Sequence, residues 1–127
     1  MRVFKTKWFA KFSRKENLAD SRLIEAIHEI ENGLIDADYG GGLIKKRIAR
    51  EGGGKSSGYR TLIAWRSETI SLFLYGFAKS DAENIEDSDL KEFKIFSREF
   101  LGYGDAQIAS ALDKGAIEEV GYHGKEI

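Results

Sequence analysis

Two runs decide how this chain folds: Tyr59-Arg60-Thr61-Leu62-Ile63-Ala64-Trp65-Arg66, and Thr69-Ile70-Ser71-Leu72-Phe73-Leu74-Tyr75-Gly76-Phe77. Both are rich in β-branched and aromatic residues, and Ser67-Glu68 between them reads as a tight turn. The second run is apolar on both of its faces, with Ile70, Leu72 and Leu74 against Phe73, Tyr75 and Phe77, which predicts a central strand. Upstream, Leu43 to Arg50 reads as a third strand. Alternation puts Ile44, Lys46, Ile48 and Arg50 on one face and Lys45 and Arg47 on the other. Glu51 to Gly58, with four glycines and Lys55, reads as a flexible loop, and Tyr39-Gly40-Gly41-Gly42 as a turn. Three consecutive strands with short links make an antiparallel meander.

Helices flank it. Val3 to Thr6 predicts a short opening strand, and Trp8, Phe9 and Phe12 recur at helical spacing through about Lys15. A second helix, capped by Asp20 or Ser21, carries Leu23, Ile24, Ile27 and Ile30 on one face and stops at Asn32-Gly33. Asp87 or Ser88 can cap a third, with Leu90, Phe93, Phe96, Phe100 and Leu101 as its buried stripe. Asp105 can cap a fourth, carrying Ile108, Ala109 and Leu112 and ending at Gly115. Ala116 to Val120 reads as one more strand, and residues 121–127 as a frayed tail. The expectation is one α+β domain over residues 1–127. Its N-terminal helical hairpin and C-terminal helices should pack on one face of a small antiparallel sheet, leaving the other face open.

Composition narrows the function. The chain has 127 residues, 42% of them hydrophobic, enough for a core. It has no cysteine, which excludes disulfides and thiolate metal sites. His28 and His123 have no metal-ligand spacing. Lys5, Lys7 and Lys11 break up the N-terminal apolar residues, which reads against a signal peptide, and no apolar stretch is long enough to span a membrane. The net charge of −1 conceals a strong asymmetry. Residues 43–79 hold eight bases and two acids, whereas residues 80–127 hold five bases and twelve acids. A basic middle of this kind suggests a face that meets a polyanion, although solvated strand ends carry similar charge.

The strands and the loop bring Lys45, Lys46, Arg47, Arg50, Lys55, Tyr59, Arg60, Arg66, Tyr75 and Lys79 within one sheet's width. Such a cluster suits RNA cleavage without a metal. That reaction needs a group to take the proton of the 2′-hydroxyl, charge to neutralise the phosphorane, and a donor for the leaving 5′-oxygen. Crowded cations depress one another's pKa and stabilise the dianionic phosphorane, and a nearby ring can stack on a base. The competing readings are structural: lysines guarding an edge strand, and tyrosines filling a sheet face. Gly52-Gly53-Gly54-Lys55-Ser56 lacks the spacing of a phosphate loop and opens no helix.

Ser56-Ser57-Gly58-Tyr59-Arg60, then Leu74-Tyr75-Gly76-Phe77-Ala78-Lys79 and Asn84-Ile85, resemble the RelE/ParE toxin superfamily, closest to its HigB-type branch. The run from Asp36 to Arg50 and the opening Arg2-Val3-Phe4-Lys5-Thr6-Lys7-Trp8-Phe9 are similar to that branch as well. The resemblance implies the toxin of a type II toxin–antitoxin system, a cytoplasmic, cofactor-free and metal-independent endoribonuclease that cuts messenger RNA in the ribosomal A site. It implies that Arg60 contacts the scissile phosphate and that Lys79 helps the phosphate or leaving group. Lys45, Arg47 and Arg50 are the candidates for base or phosphate ligand. Lys46, Lys55, Tyr59, Arg66 and Tyr75 are further candidates for RNA binding. Some relatives place a stacking tyrosine where this chain has Ile85, which leaves that role to Tyr59 or Tyr75. The implied partner is an antitoxin with a helix-turn-helix, through which operator DNA is met. Two alternatives are a ParE-like topoisomerase-binding toxin and a non-enzymatic protein-binding module.

Overall fold

A computed structural model describes residues 1–50, 58–78 and 86–121. The chain runs β1 (Arg2–Thr6), α1 (Lys7–Lys15), α2 (Asp20–Glu31), β2 (Ala37–Gly40), β3 (Leu43–Ile48), β4 (Tyr59–Arg66), β5 (Ile70–Ala78), α3 (Asp87–Leu101), α4 (Asp105–Asp113) and β6 (Ile117–Glu119). The strands form one open sheet in the order β2-β3-β4-β5-β1-β6. All neighbours are antiparallel except β1 and β5, which run parallel. The meander lies where the alternation put it, and β5 is buried along nearly its whole length. The four helices stand at the expected places, and the α+β class holds.

The helices do not share one face. Phe9 of α1 and Leu23, Ala26, Ile27 and Ile30 of α2 pack on Val3, Ile44, Ile48, Ile63 and Phe73. Phe100 of α3 and Ile108 of α4 pack on the opposite side, against Phe4, Leu43, Leu62, Ala64, Leu72 and Leu74. The expected open face is therefore partly covered. The cause is visible in the strands themselves: with Leu43, Leu62, Ala64 and Leu72 all apolar on that side, the sheet needs a second apolar layer.

Two details of helix chemistry also differ from expectation. The N-caps of α2, α3 and α4 are Ala19, Glu86 and Gly104, one residue before the aspartates that open the helices, and none makes a side-chain cap bond. Asp20, Asp87 and Asp105 instead sit in the first turn, where a carboxylate meets the positive end of the helix dipole. The outer side of α3 is less buried than its stripe suggested, with Phe96 45% exposed.

Thr6 explains how α1 is aimed. Its hydroxyl oxygen accepts from the Phe9 N–H at 3.0 Å and donates to the Leu74 carbonyl at 3.1 Å, which ties the start of α1 to β5. Gly76 makes the close approach possible, because a Cβ there would lie 2.7 Å from the Phe12 ring.

Lys46 is 3% exposed on the hairpin side, with its ammonium 2.7 Å from a Glu29 carboxylate oxygen and donating to the Leu34 carbonyl at 2.9 Å. Glu29→Ala leaves that ammonium buried beside a single neutral acceptor. We expect a loss of about 2 kcal/mol in urea unfolding. Lys46→Met removes the charge together with its need for a partner and should cost less than about 1 kcal/mol.

Candidate functional site

The site grows from the pairing of β3 with β4. Lys45 stands opposite Leu62 and Arg47 opposite Arg60, so all three cations project on the face of Leu62. On the far side of β4, Arg60 stands opposite Phe77 and Leu62 opposite Tyr75. Directly opposed residues of an antiparallel pair have Cα atoms only ~4.5–5.5 Å apart, so Arg47 and Arg60 are close neighbours. Lys45, Arg47, Arg60 and Tyr75 are all partly exposed.

Tyr75 and Phe77 reach this face because β5 carries a bulge. Leu62 pairs with Tyr75 but Ile63 pairs with Phe73, which leaves Leu74 as the extra residue. An inserted residue inverts the alternation beyond it. Tyr75 and Phe77 therefore leave the side of Phe73 and join that of Arg60, their rings 6.1 Å apart.

Asp36 holds Arg47. One carboxylate oxygen accepts from the Arg47 Nε–H at 2.9 Å and the other from its backbone N–H at 2.7 Å. The Arg47 side chain still keeps 41% of its surface open. Like charges opposed across a ladder destabilise it, so the Arg47–Arg60 pair works against folding, and Asp36 offsets part of that cost.

Aromatic rings frame the cations. Trp8 stacks on Tyr75 with centroids 4.4 Å apart, and Phe93 of α3 meets the other flank of Tyr75 at 5.2 Å. Trp8, whose helical spacing with Phe9 and Phe12 argues for burial, is 46% exposed. It turns outward because α1 buries Phe9 and Ala10 instead, and the indole folds around the edge of β5. Helix α3 reaches the site as far as Phe93 on Tyr75, while its buried residues Ser97 and Phe100 lie farther along the helix. The cations thus sit at the margin of the covered area.

Several expected residues lie elsewhere. Lys46 belongs to the buried ion pair with Glu29. Tyr59 is 5% exposed and packs in the hairpin core, its hydroxyl donating to the Glu16 carbonyl at 3.2 Å. Arg50 lies over the Tyr59 ring, 5.1 Å from its centroid, and so stands on the hairpin side. Arg66 is exposed at the opposite end of β4, ~20 Å from Arg60 at the usual strand rise. Lys55 and Lys79 fall outside the described residues, as does the glycine run beside Lys55. His28 is exposed on α2. Among the described residues, no group of three His, Cys, Asp or Glu side chains is placed to hold a metal ion.

Two contributors escaped the sequence reading. Asp36 gave no signal of its own, because nothing in a run of polar residues marks which one will hold a cation across a ladder. Trp8 had a signal that pointed the wrong way: helical spacing with Phe9 and Phe12 argues for burial, and the turn of the helix about the sheet edge decides otherwise.

Fold and site together define a small α+β protein with a cationic, aromatic-framed patch at the margin of a sheet. The family model described as RelE toxin of RelE / RelB toxin-antitoxin system matches residues 1–120. The chain belongs to the RelE toxin family, and is thus the toxin of a toxin–antitoxin pair with a cognate antitoxin as its partner. A search of curated proteins found no match. Among the described residues, no helix is long and apolar enough to cross a membrane.

Proposed function

We propose that this toxin is a metal-independent endoribonuclease that cuts messenger RNA on the ribosome, in the cytoplasm, and so stops translation. The observation that carries the reading is the opposed pair of arginines, Arg47 and Arg60, held on a partly open sheet face beside Lys45 and Tyr75. Two arginines directly opposed across a ladder supply two charged, fork-shaped donors to one phosphate. The same charges stabilise the phosphorane more than the ground-state diester, because negative charge grows there during the reaction. Lys45, one step along β3, is the candidate to exchange a proton with the ribose or the leaving oxygen. Lys79 follows directly on β5 and is proposed for the same end of the site. Tyr75 offers its ring to a base or ribose.

The HigB-type motif order supports an antitoxin of the helix-turn-helix kind, with operator DNA met through that partner. The cation cluster disfavours the ParE-like alternative, for which a topoisomerase-binding surface needs no phosphate ligands.

Induction of the wild-type toxin without antitoxin should arrest growth. Arg47→Ala should weaken message cleavage by roughly ten- to a hundredfold, as loss of one charged phosphate ligand does. Asp36→Ala leaves the guanidinium in place but unanchored, so a smaller loss, several-fold, is expected in the same assay. Equal activity of all three proteins would remove Arg47 from the mechanism.

A further inference from the structure

A second basic site lies on the other side of the same strand ends. Lys15, Glu16, Asn17 and Leu18 of the α1–α2 turn, Arg22 of α2, Ala49 and Arg50 after β3, and Tyr59 of β4 enclose a cleft of about 360 Å³. Arg22 donates to the Ala49 carbonyl, which fixes its guanidinium against the end of β3. Arg50 lies over the Tyr59 ring. The Tyr59 phenol is held above its ordinary pKa by burial, with the charges of Arg50 and Arg22 pulling it the other way, so both arginines act on this one ring. Glu16 is the carboxylate at the wall, and its charge helps to raise the phenol. Asn17 takes a left-handed backbone, φ 57°, to make the turn that forms the cleft wall.

The charge balance inside the cleft is what points to a ligand. Three cations, Lys15, Arg22 and Arg50, share this concave site with one carboxylate, Glu16, and among the described residues none of the three forms an ion pair. A concave, under-neutralised cluster with one arginine anchored by backbone and another by an aromatic ring suits a compact oxyanion with several acceptor oxygens.

We infer that this cleft is a second anion site, which takes a phosphodiester phosphate of RNA. The inference rests on the proposed nuclease reading for the polymer, and on the cleft itself for the phosphate. Ile48 and Tyr59 form the pair next to Arg47 and Arg60 in the same ladder, so one strand end separates the two sites. Cations therefore stand on both faces of these strand ends. The phosphate belongs either to the message continuing from the cut or to the ribosomal RNA around it.

The test uses the whole toxin with Lys15→Gln and Arg50→Gln combined, which leaves the Arg22 anchor intact. Equal thermal unfolding of the two proteins confirms the fold. Binding to ribosomes with and without message is measured by sedimentation across a salt series, and cleavage is followed on programmed ribosomes. The site predicts that the slope of log affinity against log salt becomes shallower by about one to two, as loss of one or two phosphate contacts requires. It also predicts that cleavage at limiting toxin falls about tenfold or more, with the rate at saturation unchanged. A slope change on empty ribosomes assigns the phosphate to ribosomal RNA; a change seen only with message assigns it to the message. An unchanged slope overturns the site, as does a variant altered only in antitoxin affinity. Should the wild type bind with the expected slopes yet never cut, the nuclease reading fails while the anion site stands.

Discussion

Arg60→Ala is expected to abolish growth arrest on induction and to lower message cleavage by on the order of a hundredfold or more, without loss of fold. The magnitude follows from removal of one preorganised donor from a site where charge develops in the transition state. Arg60 sits at the centre of the patch, opposite Arg47 on one side and Phe77 on the other. The fold should survive because the side chain is partly exposed and the core on that face is made by Leu62, Ala64, Leu72 and Phe100. A melting temperature close to that of the wild type is the expected companion result. Arg60→Lys keeps the charge but not the planar fork, and should recover only part of the activity. Full toxicity in Arg60→Ala would place the chemistry elsewhere.

Gly58→Ala should damage activity through the fold. Gly58 is buried where the chain enters β4, and a Cβ there would lie 2.1 Å from the Ile48 carbonyl oxygen and 2.9 Å from the Arg50 nitrogen. Both are backbone atoms of the neighbouring strand end, so no side-chain rotation relieves the clash. The ladder must open at Ile48–Tyr59, the pair adjoining Arg47–Arg60. Overpacking of this severity costs about 3 kcal/mol. Denaturant unfolding should show that loss together with weakened cleavage, in contrast to Arg60→Ala, which should affect cleavage alone. A Gly58→Ala protein of wild-type stability would mean that the two strand ends are held less tightly than described.

The parts of this molecule that were readable in advance are those that depend on local pattern. Alternation in Leu43–Ile48 separated Lys45 and Arg47 from Ile44, Lys46 and Ile48, and the ladder keeps that division. The burial of β5 followed from its apolar residues on both faces. What depends on one inserted residue was not readable. The bulge at Leu74 shifts Tyr75 and Phe77 to the face of Arg60, and simple parity had grouped them with Phe73. Which side of the sheet α3 and α4 choose was likewise hidden, because it is set by tertiary packing on Leu43, Leu62 and Leu72 rather than by the helices' own sequence. Packing also decided the fate of Lys46 and Tyr59: they lie on the face that the hairpin covers, and both are buried there. Alternation already parted Lys45 and Arg47 from Lys46 and Arg50, and three-dimensional packing decided which of those two faces keeps its cations open.

If the cations on this sheet grip a phosphate and break RNA, the cuts are visible as message 5′ ends mapped in cells shortly after induction, with Arg60→Ala as the control. New ends should appear inside translated codons within minutes and vanish in the variant. Arrested growth with intact messages, or DNA breaks in their place, would contradict it.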